Sequence, residues 1–344
     1  MKPVILPVAL ALAVILPAQA QQPDVRNARL QTQSVQGGLD MTFRSLVRAQ
    51  DSPGWIGYSV PAVDQHNSCC QNSGSPCVCA LEGEGHRFNV SKQVKLEGTP
   101  DVLVLFRAEK AHVGRIAFFS GDCSLDAGGL PFHWIQNANP GESVRLLATF
   151  ARQTEHLRDA AVAAIAVHRD PEADRVLEGF LASGQPEELR KKTVFWLGSA
   201  RGRRGYQILD RLIREDASPE VRSRAVFALS VSPEPDALQA MIRTAHDDKS
   251  PHVRGQALFW LAQKAQKKAA VEAIENAVEN DPETEVKKQA VFAFSQMPAE
   301  QGTPMLIHLA ETNRNREVRK QAMFWLGQSK DPRALQFFEQ VLAK

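Results

Sequence analysis

Apolar residues recur at helical spacing through the second half of the chain, and the pattern repeats about every 32 residues. Six segments align without gaps over their first helix, and they begin at Leu157, Leu189, Val221, Val253, Val286 and Val318. In the third segment, apolar positions from Val221 to Leu229 form one helical face and those from Leu238 to Ala245 form a second. Because neither helix can bury its face alone, the pattern predicts helical hairpins that stack into a solenoid.

The repeating phrases E-V-R-x-x-A-x-x-A-L and D-P-x-A-L resemble the HEAT-like repeats of the phycobilisome-lyase type. The resemblance covers about residues 157–344. Ankyrin repeats have a similar length, but their signature is echoed only once, at Thr303–Leu306. The expected fold is therefore mainly α, a right-handed α-solenoid of six HEAT-like hairpins preceded by a small α+β domain. The hairpins are expected at 157–188, 189–220, 221–252, 253–285, 286–317 and 318–344.

Residues 38–138 have a different pattern and resemble no family that we recognise. Apolar positions from Leu39 to Val47 predict one short helix, and the run from Trp55 to Val60 predicts a strand. Two more strand-like runs, 102–108 and 114–119, predict a hairpin. A helix start at Asn139-Pro140-Gly141-Glu142 predicts a capping helix over 139–156. We expect residues 21–37 to be flexible.

The first twenty residues have the pattern of a cleaved signal peptide. Lys2 is followed by an almost wholly apolar run from Val4 to Pro17 and by the small-x-small sequence Ala18-Gln19-Ala20. A membrane span needs roughly 20 apolar residues, so this run is too short for an anchor, and we expect no membrane span after cleavage. The pattern predicts a periplasmic or secreted protein that begins at Gln21.

The charge balance gives no reason to expect a nucleic-acid partner. Without Lys2 the chain keeps 40 basic residues against 39 acidic ones. The expected partner is a protein or a peptide.

All five cysteines lie in the front part of the chain, between Cys69 and Cys123. In an exported small domain this favours disulfides, and the candidates are Cys69 or Cys70 bonded to Cys77 or Cys79. Cys123 is then left free or bonded to a third party. A zinc site is a second interpretation and a redox pair a third, although no Cys-x-x-Cys is present. Our expectation is disulfides, with no metal and no cofactor.

Two features of the repeat admit both a structural and a functional interpretation. A basic residue follows each opening position: Arg158, Arg190, Arg222, Arg254, Lys287 and Arg319. We expect these residues to form a ladder that bonds the loops between repeats rather than a ligand stripe. Position eight of the first helix alternates between Ala164, Trp196, Ala228, Trp260, Ala293 and Trp325. Large–small alternation favours interdigitated packing over exposed hot spots.

Charged residues on the second helices give the candidate binding residues. The basic candidates are Arg201, Arg203, Arg204, Arg211, Arg214 and Arg243, and the acidic ones are Glu272, Glu275 and Glu279. We expect the first three in a loop at the edge of a concave groove and the others along it, so that the groove runs from basic to acidic. A solvated surface without function is the alternative.

These patterns favour a non-catalytic binding scaffold over an enzyme. No His-Glu dipeptide, Gly-x-Ser-x-Gly, His-Glu-x-x-His or phosphate-binding loop occurs in the sequence. The alternatives are a metal-binding or redox role of the cysteine loop and an accessory subunit of an enzyme. Neither predicts a catalytic residue that we can name.

Overall fold

The computed structural model describes residues 22–63, 78–83, 101–121 and 123–343. Within these residues the chain forms a front domain of two β-sheets and one helix, followed by thirteen consecutive helices. The predicted signal peptide lies outside the described residues. No helix in the described part of the chain is both long and apolar enough to cross a membrane.

The front domain is built around a five-stranded sheet. Its strands are β2 (Arg29–Ser34), β3 (Gly54–Pro61), β5 (Asp101–Glu109), β6 (His112–Ser120) and β8 (Pro131–Gln136), in the order β2-β8-β3-β5-β6. Strand β5 is antiparallel to both β3 and β6, whereas β8 is parallel to both of its neighbours, β2 and β3. A smaller parallel sheet contains β1 (Val25–Arg26), β4 (Val78–Ala80) and β7 (Ser124–Asp126). The predicted strands and the hairpin are therefore present.

The prediction of a flexible segment over 21–37 is wrong. Residues 25–26 and 29–34 form β1 and β2, and β2 pairs in register with β8 along its whole length. The sequence of β2, RLQTQS, is polar and exposed because the strand lies at the edge of the sheet. Its stability comes from the backbone ladder, so it shows no apolar periodicity.

The sheet buries both of its faces, in accord with the period-two alternation of its strands. Ile56, Tyr58 and Val60 face the helices and belong to the main core. Trp55 points the other way, into a second core that it shares with the small sheet. Helix α1 (Leu39–Arg48) is the short helix that the apolar positions from Leu39 to Val47 predicted, and it packs on the helical side of the sheet.

The helical part starts where the sequence predicted. Helix α2 (Pro140–Gln153) has Asn139 as its N-cap, with the Asn139 side chain accepting a 3.0 Å hydrogen bond from the Glu142 backbone N–H. Six hairpins follow. Their first helices are α3 (Glu155–Val167), α5 (Glu187–Ala200), α7 (Pro219–Val231), α9 (Pro251–Ala262), α11 (Thr284–Ser295) and α13 (Arg316–Gln328). Their second helices are α4 (Pro171–Phe180), α6 (Gly202–Glu215), α8 (Ala237–Asp247), α10 (Lys268–Asn280), α12 (Ala299–Thr312) and α14 (Pro332–Leu342).

The first helices of successive hairpins lie side by side, as a stacked solenoid requires. Their inward residues form one continuous core that extends from the helical face of the sheet to Phe337 in the last helix. The fold is therefore mainly helical, with sheets in the front part, as expected.

Candidate functional site

The basic ladder forms a polar spine between the repeats. Arg222 donates two 2.8 Å hydrogen bonds to the Asp248 carboxylate, and its third nitrogen donates to the Asp216 carbonyl at 2.9 Å. Arg254 binds Asp281 in the same way, at 2.7 and 2.9 Å, and Arg190 bonds to Asp216. Each aspartate therefore lies in the turn that ends a repeat and holds the arginine near the start of the same repeat, and the ion pairs are almost fully buried.

The ends of the ladder are simpler. Among the described residues, Arg158 donates only to the Ala151 carbonyl, and Lys287 only to the Glu279 carbonyl. Arg319 uses one nitrogen, Nη1, to bond the carbonyls of Asn313 and Arg314. The ladder side chains thus bind the protein itself, and in the central repeats they are buried and inaccessible to a ligand.

The predicted basic loop is a different structure. Arg201 ends α5 and opens α6, so Arg203 and Arg204 lie on a helix rather than in a loop. The Arg201 guanidinium is buried, and it binds the Asp174 carboxylate at 2.6 Å and the His168 carbonyl at 2.5 Å. Arg201 therefore has a structural role in the first two repeats and is not placed to bind a partner.

The other basic candidates are ion-paired within the chain. Arg203 pairs with Asp236, Arg204 with Glu178, Arg211 with Glu178 at 3.8 Å, Arg214 with Asp210 at 3.0 Å and Arg243 with Asp210 at 2.7 Å. These pairs offset part of the positive charge that the sequence predicted, because Glu178 and Asp210 each face two of the arginines and Asp236 faces Arg203. The sequence contained a signal for two of these pairs. Arg203 and Asp236 are 33 residues apart, as are Arg243 and Asp210, and this separation is close to the length of one repeat.

The acidic candidates do not complete a charge gradient. Glu272 pairs with Lys268 at 3.1 Å, and Glu279 accepts a 3.0 Å hydrogen bond from the Asn313 amide. Glu275 and Glu279 form no ion pair within the described residues. The structure therefore gives little support to a groove that runs from basic to acidic.

A row of aromatic rings crosses the first helices of repeats two to six. We call it the aromatic row, and it contains Phe195, Trp196, Phe227, Phe259, Trp260, Phe292, Phe324 and Trp325. Phe195 stacks on Phe227 at 5.8 Å between ring centroids, and Trp260 packs on Phe227 at 4.6 Å. The row is half-buried except at Phe324, which is exposed.

The alternating position explains how the row is built. Ala164, Ala228 and Ala293 are fully buried, whereas the tryptophans pack only partly against the core. The prediction of a packing role for the tryptophans therefore holds for their inner edges alone. Their outer edges remain accessible, which the sequence alternation did not reveal.

Two rings of the aromatic row line a groove across α5, α7 and α9. The groove is open to solvent and has a volume of about 600 Å³, and the two rings are Phe227 and Trp260. Arg224 lies on its wall with the guanidinium over both Phe227, at 4.9 Å, and Phe195, at 5.9 Å. The rest of the lining is polar: Glu188, Lys191, Lys192, Glu220, Ser223, His252 and Gln256. Arg224 makes no ion pair with any described residue, so its charge is available to a ligand.

The front domain covers the beginning of the same face. Strand β6 packs on α3, and Phe118 of β6 meets Trp196 edge-on at 6.2 Å. In the first repeat the positions that elsewhere carry aromatic rings are Ala163 and Ala164, and both are buried. The first helices thus already hold a polypeptide surface at one end of the row, through an aromatic contact.

A buried serine–histidine pair joins the two domains, and the sequence analysis missed it. Ser143 Oγ lies 2.8 Å from both the Tyr58 hydroxyl and His168 Nε2. His168 Nδ1 lies 2.6 Å from the Ala164 carbonyl, so Nδ1 carries the proton and Nε2 accepts from Ser143. Burial lowers the pKa of His168 to about 4 and raises the pKa of Tyr58. With all three side chains shielded from solvent, the cluster has no access for a substrate and acts as a structural junction.

The cysteines lie away from both of these features. Cys79 and Cys123 are buried in the second core, on the sheet face opposite the helices. Cys123, which the sequence left as the odd cysteine, is disulfide-bonded. The other predicted disulfide residues, Cys69, Cys70 and Cys77, lie outside the described residues, so the pairing stays a prediction. In the described part of the chain, no group of histidine, cysteine and acidic side chains is arranged to hold a metal.

Comparison with known proteins identifies the helical repeat. Residues 205–275 and 271–344 match the family model of HEAT repeats, so the predicted repeat type is confirmed. No curated protein matches the chain.

Solved structures with some similarity include human deoxyhypusine hydroxylase in complex with glycerol, at 14% identity over 58% of this chain and 90% of that one, with a TM-score of 0.28. The complex of CpcE and CpcF of phycocyanin lyase from Nostoc sp. PCC7120 matches at 19% identity over 46% of this chain and 100% of that one, with a TM-score of 0.35. A computationally designed self-assembling cyclic homo-oligomer matches at 16% identity over 59% and 78%, with a TM-score of 0.13. Scores this low carry no argument about function.

Proposed function

We propose, from the premise that residues 205–344 are HEAT repeats, that this protein is a non-catalytic scaffold that binds another polypeptide through the aromatic row. The observation that supports this most strongly is the groove across α5, α7 and α9, which has Phe227 and Trp260 in its lining. Half-buried aromatic rings held in place by their neighbours lose little conformational entropy on binding. Such residues supply most of the affinity at protein interfaces.

The groove favours a segment that carries an apolar or aromatic side chain next to a carboxylate. An apolar side chain would cover the rings of Phe227 and Trp260, and the carboxylate would pair with Arg224. Because the Arg224 guanidinium already rests on Phe195 and Phe227, it is held at the wall of the groove before a ligand arrives. We expect Arg224 to contribute orientation and selectivity and the rings to contribute affinity.

Export and a disulfide-bonded front domain are further parts of the proposal. The sequence of residues 1–20 supports a cleaved signal, and an oxidising compartment suits the disulfide at Cys123. Peptide mapping without reduction is expected to find Cys69 or Cys70 joined to Cys77 or Cys79. Four free thiols with one bound zinc per chain would replace this proposal with a metal-binding loop. The right-handed sense of the solenoid also stays a prediction.

A capture experiment with matched variants tests the proposed binding surface. Mature protein is immobilised and exposed to an extract of its own organism, together with an Arg224→Glu, Trp260→Ser variant and an Arg211→Glu, Arg214→Glu variant. The first alters the groove and the second alters exposed arginines on α6. Proteins held by the wild type should be lost on the groove variant and retained on the α6 variant. Loss on the α6 variant alone would move the binding surface to the second helices.

A further inference from the structure

The rings at the groove combine a stacked pair of phenylalanines with one tilted tryptophan. Phe195 and Phe227 stack at 5.8 Å between centroids, with an angle of 13° between the ring planes. Trp260 contacts Phe227 at 4.6 Å with an angle of 41°. All three rings are half-buried. The arrangement therefore takes one ring from each of three successive first helices, α5, α7 and α9.

The same arrangement occurs a second time, two repeats further along the chain. Phe259 and Phe292 stack at 5.9 Å with an angle of 9°, and Trp325 contacts Phe292 at 5.0 Å with an angle of 41°. These rings are also half-buried, and Phe259 and Phe292 belong to repeats that have a neighbour on either side. We call Phe259, Phe292 and Trp325 the second ring site. Because its distances and angles match those at the groove, a side chain that packs on one set of rings fits the other.

One wall residue distinguishes the two sites. Arg224 is the fourth residue of its repeat, and its guanidinium lies over two rings at the groove. The fourth residue of repeat five is Gln289, which carries no charge, and the adjacent Lys288 is paired with Glu285 at 2.8 Å. The two sites therefore offer the same rings, but only the groove offers an unpaired guanidinium to a carboxylate.

The packing of the first helices sets the distance between the two sites. Neighbouring helix axes lie about 8–10 Å apart, so two sites separated by two repeats are about 16–20 Å apart. An extended chain advances about 3.3 Å per residue and returns to the same face at every second residue, so six residues span about 20 Å on one face. A helical ligand would need about eleven residues for the same separation, because it rises only about 1.5 Å per residue.

The polar lining of the groove favours an extended ligand over a helical one. An extended segment that crosses the helices brings backbone N–H and C=O groups that need partners, whereas a helix bonds these groups internally. Ser223 and Gln256 lie in the lining beside the rings, and neither side chain forms a hydrogen bond with the described residues. Their donors and acceptors are therefore available to the backbone of an extended segment.

We propose that the groove and the second ring site together bind one extended segment of another polypeptide. The segment carries two apolar or aromatic side chains about six residues apart, with an acidic residue beside the first. The first side chain packs on Phe227, the second packs on Phe292, and the acidic residue pairs with Arg224. This inference rests on the proposed function, and it adds a second binding site and a spacing between the two anchors.

Synthetic peptides test the spacing directly. Each peptide carries an aspartate beside a first tryptophan, a spacer of serines, and a second tryptophan four, six, eight or eleven residues after the first. A single-anchor peptide has serine in place of the second tryptophan. By fluorescence anisotropy, the six-residue peptide should bind the wild type about tenfold or more tightly than the single-anchor peptide, and Phe292→Ala should remove that advantage. The single-anchor peptide should bind both proteins alike, which controls for the fold of the variant.

A Gln289→Arg variant tests the same site by a gain of binding. It places a guanidinium where Arg224 lies in the groove, so a six-residue peptide with a second aspartate beside its second tryptophan should bind it about threefold or more tightly than the wild type. The single-anchor peptide should not distinguish the two proteins. Equal binding of the six-residue and single-anchor peptides, tightest binding at a spacing of eleven, or no gain with Gln289→Arg would overturn this inference and leave the proposed function standing. Failure of every peptide to bind would overturn both.

Discussion

The sheet is joined to the first repeat by a unique polar cluster, whereas the repeats are joined to one another by the same contact used again and again. At the junction, Ser143 is 85 residues away from Tyr58 in the sequence and 25 residues away from His168. Between repeats, an arginine bonds a carbonyl in the turn before its own helix and an aspartate 26 or 27 residues later, in the turn before the next repeat. A contact that recurs in every repeat can be recognised in the sequence from its spacing, whereas a contact that occurs once cannot.

The ladder and the junction should also stabilise the protein in different ways. In a solenoid each interface involves only neighbours, so losing one ladder contact should loosen the repeats on either side of it. The polar cluster at the junction has no equivalent elsewhere in the described chain, so no similar contact would compensate for its loss. Substitutions at the two places should therefore differ in size and in the region that they affect.

The largest effect is expected from breaking the ladder at Arg222. Arg222→Ala leaves the buried Asp248 carboxylate unpaired, and the free energy of unfolding should fall by about 3–5 kcal/mol. Arg224→Ala, two residues away on the exposed side of α7, is the control and should cost less than about 1 kcal/mol. Urea denaturation of both variants gives the comparison. Equal losses would mean that the ladder is not a stabilising contact.

The junction should make stability depend on pH. His168 has a pKa of about 4 in the folded chain and an ordinary value of 6.5 when unfolded, because burial disfavours its charged form. The unfolded chain therefore binds more protons between these values. The contribution is complete above pH 6.5 and is lost as pH falls toward 4, by about 3 kcal/mol in total.

A His168→Gln variant isolates that contribution. Glutamine keeps one donor and one acceptor but does not titrate. The difference in unfolding free energy between wild type and variant should shrink as pH falls from 6.5 to 4. A difference that stays constant across this range would show that His168 is not buried as a neutral side chain.

Ser143→Ala should have a smaller effect. It leaves the Tyr58 hydroxyl and His168 Nε2 without their shared partner, and the expected loss is about 1–3 kcal/mol. Ser199→Ala, at an exposed position of α5, is the matched control. Hydrogen exchange should show the loss in β3, α2 and α3, and the last three repeats should be unaffected. Loosening that began in the last repeats would contradict the separation of the two regions.

The smallest effect is expected at an exposed pair between repeats. Arg204 and Glu178 join α6 to α4 on the surface, with side chains 47% and 31% exposed. Because water screens such a pair, Arg204→Ala should reduce the unfolding free energy by less than about 1 kcal/mol. A loss as large as that of Arg222→Ala would show that surface pairs and the buried ladder contribute alike.

The sequence predicted those features that repeat or that have a strong local signal. The hairpins, the ladder and the helix start at Asn139 all belong to this class. The pairing of β2 with β8 was missed because an exposed edge strand shows no apolar alternation. The pairing of Arg203, Arg204 and Arg243 was missed because their acidic partners lie in an adjacent repeat and not on the same helix. The junction at Ser143 depends on tertiary contacts alone.

The aromatic row was only half predicted. The alternation of alanine and tryptophan at position eight indicated packing, and the alanines are indeed buried. What the alternation did not give was the position of Phe195, Phe227 and Arg224 on one accessible face. That arrangement appears only when adjacent first helices are placed side by side.

The central claim, that the aromatic row binds a polypeptide segment, is tested most directly by peptide selection. Random peptides displayed on phage are selected on the immobilised wild-type protein, and the recovered peptides are titrated against wild type, Arg224→Glu and Arg211→Glu. Recovered peptides should be rich in aromatic and acidic residues, and their affinity should fall by about tenfold or more with Arg224→Glu while staying unchanged with Arg211→Glu. Peptides that bind Arg224→Glu as tightly as wild type, or that lose affinity only with Arg211→Glu, would contradict the account.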